Sequence, residues 1–214
     1  MSQDLVSSLS RGVSSLGIDL TEEQQSRLVE YIELLVKWNR VYNLTAVRDP
    51  QHMLNRHILD SLSVMPYLVG DRIIDIGAGA GLPGIPLAIA RPEKTFVLLD
   101  SNRKKTRFMQ QAKTTLGLGN VEVVCSRVEN FLPDELFDSI ISRAFSSLLQ
   151  MATWSAHLCA PHGVLLAMKG TYPEAEMADL TEHTKSFEIK AVHNLRYSGV
   201  DAERYLVEIK ASKS

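Results

Sequence analysis

The apolar positions of the chain change their period once, near residue 70. Before that point they recur at helical spacing. Leu28, Ile32, Leu35 and Val36 fall on one face of a run opened by Thr21 and Gln24, a pair with the pattern of a capping box. Asp49-Pro50 has the form of an N-cap with proline at the first helical position. Met53, Leu54, Ile58, Leu62 and Met65 continue that second helix until Pro66. The polar segment 39–49 between them is expected to be a loop.

From Arg72 onward short apolar runs alternate with longer helical ones. Strands are predicted at 73–76, 95–99, 121–125, 139–142, 164–168, 189–193 and 205–209, with helices at 104–116, 148–158 and 174–185. Strands and helices alternating at this length build right-handed βαβ units and a mostly parallel sheet. No clear helix separates the last two strands, so an antiparallel final hairpin is expected. The predicted fold is α/β, a doubly wound seven-stranded mostly parallel sheet of Rossmann-like form. A helical N-terminal extension over 1–68 precedes the sheet domain over 69–214.

Composition narrows the setting. The chain has 214 residues, 45% hydrophobic and 22% charged, enough for one stable core of ordinary globular composition. No apolar run reaches the ~18 residues of a membrane span. The opening MSQDLVSS lacks the basic and apolar regions of a secretory signal. A cytoplasmic monomer without membrane contact is expected. Cys125 and Cys159 show no motif spacing and are expected to be buried, reduced and inert, and no metal is expected. Net charge is −2, so any grip on nucleic acid must rest on a local basic face.

The sharpest chemical feature is the segment from Ile73 to Gly84, in which an apolar strand runs into Gly77, Gly79, Gly81 and Gly84 and then into a helix. Such a loop lies at the carboxyl edge of the sheet, where open α/β sheets bind ligands. Gly79, Gly81 and Gly84 satisfy the dinucleotide pattern G-x-G-x-x-G, but two residues oppose that reading. Asp75 is a poor neighbour for a pyrophosphate and a good one for a cation. Pro83 removes a backbone N–H where a phosphate would seek donors. A sulfonium cofactor with an ammonium group, S-adenosylmethionine, suits the carboxylate better. Asp100 closes the second strand, where a carboxylate accepts both hydroxyls of a ribose. Main-chain groups at Val128 and Glu129, past the third strand, are placed to read an adenine edge while Val128 packs its face.

The fourth strand leads into Ile141-Ser142-Arg143-Ala144-Phe145. The Asn/Asp-Pro-Pro-aromatic motif of amine-directed nucleic-acid methyltransferases is not there. Carbon-5 pyrimidine chemistry needs a nucleophilic cysteine, and Cys159, expected in a helix before Ala160-Pro161, is a poor candidate.

Together with Lys37-Trp38-Asn39, Tyr42-Asn43-Leu44-Thr45, Arg56-His57-Ile58-Leu59-Asp60-Ser61, Leu82-Pro83-Gly84, Leu98-Leu99-Asp100-Ser101, Ser126-Arg127-Val128-Glu129 and Lys169-Gly170, these stretches closely resemble a known family. It is that of the bacterial small-subunit (16S) ribosomal RNA guanine-N7 methyltransferases, also called glucose-inhibited division protein B or the RsmG family. The resemblance implies a class I methyltransferase that moves a methyl group from S-adenosylmethionine to N7 of one guanine in 16S rRNA. The small ribosomal subunit would then be its partner. It implies cofactor contacts at Asp75, Gly77, Gly79, Leu82, Asp100, Val128, Glu129 and Arg143. Guanine N7 carries a free lone pair, so no general base is needed. Arg143 is then a positioning residue that anchors the cofactor or a phosphate, or orients the guanine through O6. Asn43, Arg56, His57 and Lys169 are candidate substrate contacts. Arg103, Lys104, Lys105 and Arg107 offer a basic patch, and Trp38 and Tyr42 could stack a base. A non-catalytic nucleotide-binding regulator and a nicotinamide oxidoreductase are the rival readings.

Overall fold

The computed structural model describes residues 2–144, 146–195 and 203–212, so Phe145 of the turn after the fourth strand lies outside the described residues. The first element is an addition to the predicted set. Leu5, Leu9 and Val13 recur every four residues and are buried along one side of α1 (Ser2–Ser15). Next, α2 (Glu22–Tyr42) opens on the predicted capping box, in which the Thr21 hydroxyl accepts from the Gln24 N–H and the Gln24 side chain accepts from the Thr21 N–H. The helix does not stop at Asn39, where a loop was expected, but runs to Tyr42 and ends at Asn43 with φ 49°. Asn39 is buried and holds the following loop from inside the helix. Its side chain accepts from the Thr45 N–H at 2.9 Å and donates to the Val47 carbonyl at 3.2 Å.

Asp49 caps α3 (Pro50–Met53) as predicted. The single helix expected to follow is instead interrupted. A π-helical turn (Leu54–Leu59), closed by the Asp60 N–H reaching back to the Asn55 carbonyl, precedes α4 (Asp60–Leu62). Pro66 then falls inside a separate 3-10 turn, Met65–Tyr67.

The sheet elements follow as β1 (Arg72–Ile76), α5 (Gly84–Ala90), β2 (Thr95–Leu99), α6 (Arg103–Thr115), β3 (Val121–Val124) and β4 (Phe137–Arg143). The chain continues through α7 (Leu148–Ser155), β5 (Cys159–Lys169), α8 (Glu174–His183), β6 (Phe187–Asn194) and β7 (Tyr205–Ala211). Strand order is β3-β2-β1-β4-β5-β7-β6, and β7 runs against both neighbours, which is the expected final hairpin. β5 begins earlier than predicted, so Cys159 lies on a strand and not in a helix. Pro161 and Gly163 fall where its pairing with β4 shifts register, a place that tolerates a residue without an N–H.

Successive strand residues face opposite ways. Ile73, Phe96, Leu98 and Ile141 join one apolar cluster with α1, α2, α5 and α6. Ile74, Val97, Leu99 and Ile140 join another under α7 and α8. With both faces covered, the strands read as continuous apolar runs. The N-terminal helices are tied to the sheet by more than packing. Tyr31 donates its hydroxyl to the Ala80 carbonyl at 2.6 Å, and Gln24 donates to the last carbonyls of α5, at Ile89 and Ala90. Burial pushes the Tyr31 hydroxyl far above its ordinary pKa, so it remains a donor. Among the described residues no helix is long and apolar enough to cross a membrane. The chain winds outward from β1 through β2 to β3, then returns to β4 on the other side of β1. The crevice for a ligand therefore opens beyond the carboxyl ends of β1 and β4.

Candidate active site

A cavity of about 270 Å³ lies at that switch point. Its wall takes Gly77 just past β1, Asp100 and Ser101 just past β2, Val128 and Glu129 from the turn after β3, and Ala144 just past β4. The glycine loop is pinned by main-chain bonds from Gly77 N and Ala78 N to the Leu99 carbonyl, at 2.8 and 3.0 Å. Asp100 completes the clamp. Its Oδ2 accepts from the Gly79 N–H at 2.9 Å and its Oδ1 from the Asn102 N–H at 2.8 Å, with Lys105 Nζ 3.8 Å away. Each oxygen has accepted one hydrogen bond and can accept another. The carboxylate is thus a fixed double acceptor, the form that suits a pair of vicinal hydroxyls. Gly79 has φ +61°, and a Cβ there would meet nothing nearer than 3.9 Å, so the loop leaves open room above itself. Val128, almost fully buried, gives the cavity a flat apolar patch, and Trp154 of α7 adds an aromatic wall that no sequence pattern had marked. These residues fit an adenosine.

Four expected cofactor contacts, Gly79, Asp75, Leu82 and Arg143, are not on the cavity wall, though Gly79 is bonded to Asp100, which is. Asp75 is completely buried beneath the loop and off the cavity wall. Its Oδ2 accepts from the Gly84 N–H at 2.8 Å, and burial, the largest cause, raises its pKa to about 7. Its Oδ1 is buried without a partner among the described residues. Leu82 is likewise buried, in the cluster shared with the N-terminal helices. Both residues shape the loop from below.

Arg143 also leaves the first cavity. It lines a second one of about 390 Å³ together with Val47, Arg56, His57, Lys169 and Arg204. Its Nη1 donates to the Arg56 carbonyl at 3.0 Å and stands 3.4 Å from both His57 Nδ1 and Asp60 Oδ2. A guanidinium can only donate, so Nδ1 is the acceptor and the imidazole proton sits on Nε2, 2.9 Å from the Thr45 hydroxyl. Burial first, and the Arg143 charge second, push His57 down to about 4. This histidine is neutral at physiological pH. Lys169 donates to Glu176 at 2.7 Å and to the Ser146 carbonyl at 2.9 Å. Asp60 is the residue that sequence reasoning passed over. Buried at the end of the π turn, it also accepts from Arg204 Nε at 3.1 Å and so joins β7 to β4 across the cavity. The one available signal was an acid inside an apolar helical stripe. Asn43 lines neither cavity; it supplies the left-handed cap at the end of α2.

The cysteines stand apart from both cavities. Cys125 is exposed, against expectation, and Cys159 is half-buried with its thiol pushed up to about 11 by desolvation, which makes it a poor nucleophile.

A doubly wound sheet with an antiparallel β7 between β5 and β6 and a cavity at its switch point is the architecture of the Rossmann-like, class I S-adenosylmethionine-dependent methyltransferases. The fold is similar to that of an O-methyltransferase (NcsB1) from neocarzinostatin biosynthesis, solved in complex with S-adenosylmethionine. The TM-score is 0.60 at 17% identity, covering 75% of this chain and 55% of that one. The chain belongs to the GidB family, described as rRNA small subunit methyltransferase G, whose model matches residues 24–207. It is 50% identical over 205 residues to a Ribosomal RNA small subunit methyltransferase G of Pseudomonas aeruginosa (strain UCBPP-PA14), covering 95% of this chain and 94% of the relative. A second relative of the same name, from Shigella flexneri, is 49% identical over 209 residues, 98% of this chain and 100% of its own.

Proposed function

We propose that this protein methylates N7 of one guanine in the 16S rRNA of the small ribosomal subunit, with S-adenosylmethionine in the first cavity and the guanine in the second. The observation that carries the reading is Ala144, which lines both cavities and so marks the point where methyl donor and acceptor meet. S-adenosylmethionine, when bound, supplies an electrophilic methyl group on a cationic sulfur. Gly77, Gly79, Asp100, Val128 and Glu129 hold it, while Asp75 and Leu82 hold the loop.

The second cavity suits an acceptor that has no proton to lose. His57 is neutral with both ring nitrogens engaged, so it takes no proton near neutral pH. Catalysis then rests on alignment and exclusion of water. Arg143 uses Nη1 for its protein partners, and among the described residues its other nitrogens are open to guanine O6 or a phosphate. Arg56, Lys169 and Arg204 add cationic contacts for the RNA backbone. Asn43 serves by fixing the loop that carries Thr45 to His57. The rRNA substrate supports action in the cytoplasm, where ribosomal subunits are found.

The test is transfer of labelled methyl from S-adenosylmethionine to small ribosomal subunits that lack their own 16S modification, followed by nucleoside analysis. Label in 7-methylguanosine from one nuclease fragment is the expected result. Label in another nucleoside, or none with cofactor bound, overturns the reading.

A further inference from the structure

The basic residues of this chain are unevenly spread. Between Glu33 and Asp49 lie Lys37, Arg40 and Arg48 and no acid. Between Asp100 and Glu122 lie Arg103, Lys104, Lys105, Arg107 and Lys113, again with no acid. In a protein of net charge −2 these two stretches are a local excess of positive charge. The fold brings them together, because α2 packs on α6 with the Trp38 indole edge-on to Phe108 at 5.6 Å.

A groove of about 540 Å³ runs between the two helices, with Leu34 and Trp38 on one side and Gln111 and Thr115 on the other. At its α2 end Tyr42 stacks on Trp38, ring centroids 5.1 Å apart and planes 29° from parallel. Tyr42 is 38% exposed and Val41, beside it, 71%. Core packing explains Trp38, which meets Phe108. It does not explain Tyr42, an aromatic ring left more than a third in solvent amid arginines and lysines. Tyr42 is also three residues before Thr45, whose hydroxyl bonds His57 of the guanine cavity.

We propose that the Trp38–Tyr42 stack is a platform for one unpaired base of the substrate RNA, with Lys37 of α2 and Arg107 of α6 taking the flanking phosphates. This rests on the rRNA reading above and extends its substrate surface beyond the target guanine. Unpaired RNA is the partner that matches both features. Every base has a π-face to set on an aromatic ring, and its phosphates match the local excess of lysine and arginine.

The experiment is fluorescence anisotropy on the full chain with a short, labelled, single-stranded RNA that contains no guanine. Tyr42→Ala weakens binding at least about fivefold, whereas Tyr42→Phe stays within about twofold of wild type. A duplex of the same length binds wild type and Tyr42→Ala alike, because its bases are not free to stack. S-adenosylmethionine affinity, measured by calorimetry, is the same in all three proteins and reports an intact fold. Equal binding of the single strand by wild type and Tyr42→Ala overturns the platform. So does a methylation defect of Tyr42→Ala on assembled subunits that disappears on naked 16S rRNA, since that result assigns the surface to a ribosomal protein. The guanine-free RNA cannot be methylated at N7, so this result and that of the methyl-transfer assay are read separately.

Discussion

The main-chain N–H of Gly79 donates to the Asp100 carboxylate at 2.9 Å, so the loop after β1 and the end of β2 form a single clamp. Asp100 therefore fastens the loop, and on the proposed reading it also offers an acceptor to the ribose. Asp100→Ala removes both and is expected to weaken S-adenosylmethionine binding by about 2–4 kcal/mol, from a charged hydrogen bond plus the loosened loop. Asp100→Asn keeps one carbonyl oxygen and should lose less. Calorimetry on both variants, with circular dichroism as the check on folding, decides it. Wild-type affinity in Asp100→Ala would remove this residue from the cofactor site.

The sheet was legible because its strands are buried on both faces. Runs such as Ile73-Ile74 and Val97-Leu98-Leu99 need no alternation to be recognised, and the glycines fix where the ligand edge must be. The first cavity was readable for the same reason, since Gly77, Asp100 and Glu129 each follow a strand at a predictable edge. The second cavity was readable only as a set of residues. Arg56, His57, Lys169 and Arg143 were separate candidates, and nothing in their spacing shows that the π turn aims the first two at the last. A π turn adds one residue to a helical repeat and leaves no local mark in an apolar pattern. Asp75 was misplaced because spacing gives the strand position but not the depth. With side chains packed on both faces, a residue just before the loop lies under it, not on it.

Two glycines of the loop should fail in different ways. A Cβ on Gly84 would stand 2.2 Å from Leu98 Cδ2 and 2.9 Å from Asp75 Oδ2, inside a full core. Gly84→Ala is expected to unfold the loop and its helix, with a loss of a few kcal/mol. On Gly79 the new methyl has room, and the cost is the left-handed backbone, about 1–2 kcal/mol. If Gly79 is a cofactor contact, as proposed, the methyl of Gly79→Ala takes space that the cofactor needs. Stability should fall little and cofactor affinity much, as measured by denaturant titration and calorimetry. The reverse order in the two variants would contradict this account of the loop.

His57 should leave a signature in stability. Its folded pKa, about 4, lies below the ordinary 6.5, so the unfolded chain binds the extra proton between these values. The stabilisation from a neutral, buried His57 is present above pH 6.5 and lost as the pH falls through about 4. Across that window the change is roughly 3 kcal/mol. Compared with His57→Gln, which cannot titrate, wild type should lose stability faster between these pH values. The ring protons of His57 should shift in NMR spectra with a midpoint near 4. A midpoint at 6 or above would mean that burial and the Arg143 charge do not hold the ring neutral.

The reaction itself should be indifferent to pH. Guanine N7 is unprotonated near neutrality and His57 has already lost its proton, so on the proposed reading no group needs to be deprotonated for methyl transfer. Asp75 is the complication, since its pKa is raised to about 7. It lies under the cofactor loop, so its titration should act on cofactor binding and not on the chemical step. Single-turnover rates at saturating S-adenosylmethionine are therefore expected to change less than about twofold from roughly pH 6.5 to 8.5, an interval that begins at the ordinary histidine pKa. At low cofactor concentration the rate is expected to vary through the same interval, and Asp75→Asn should flatten that variation. Single turnover keeps product release out of the measurement. A steep rise at saturating cofactor, abolished by His57→Gln, would reveal a general base. The acceptor would then be a group with a proton to give up, an exocyclic amine or a hydroxyl, and no longer the ring nitrogen.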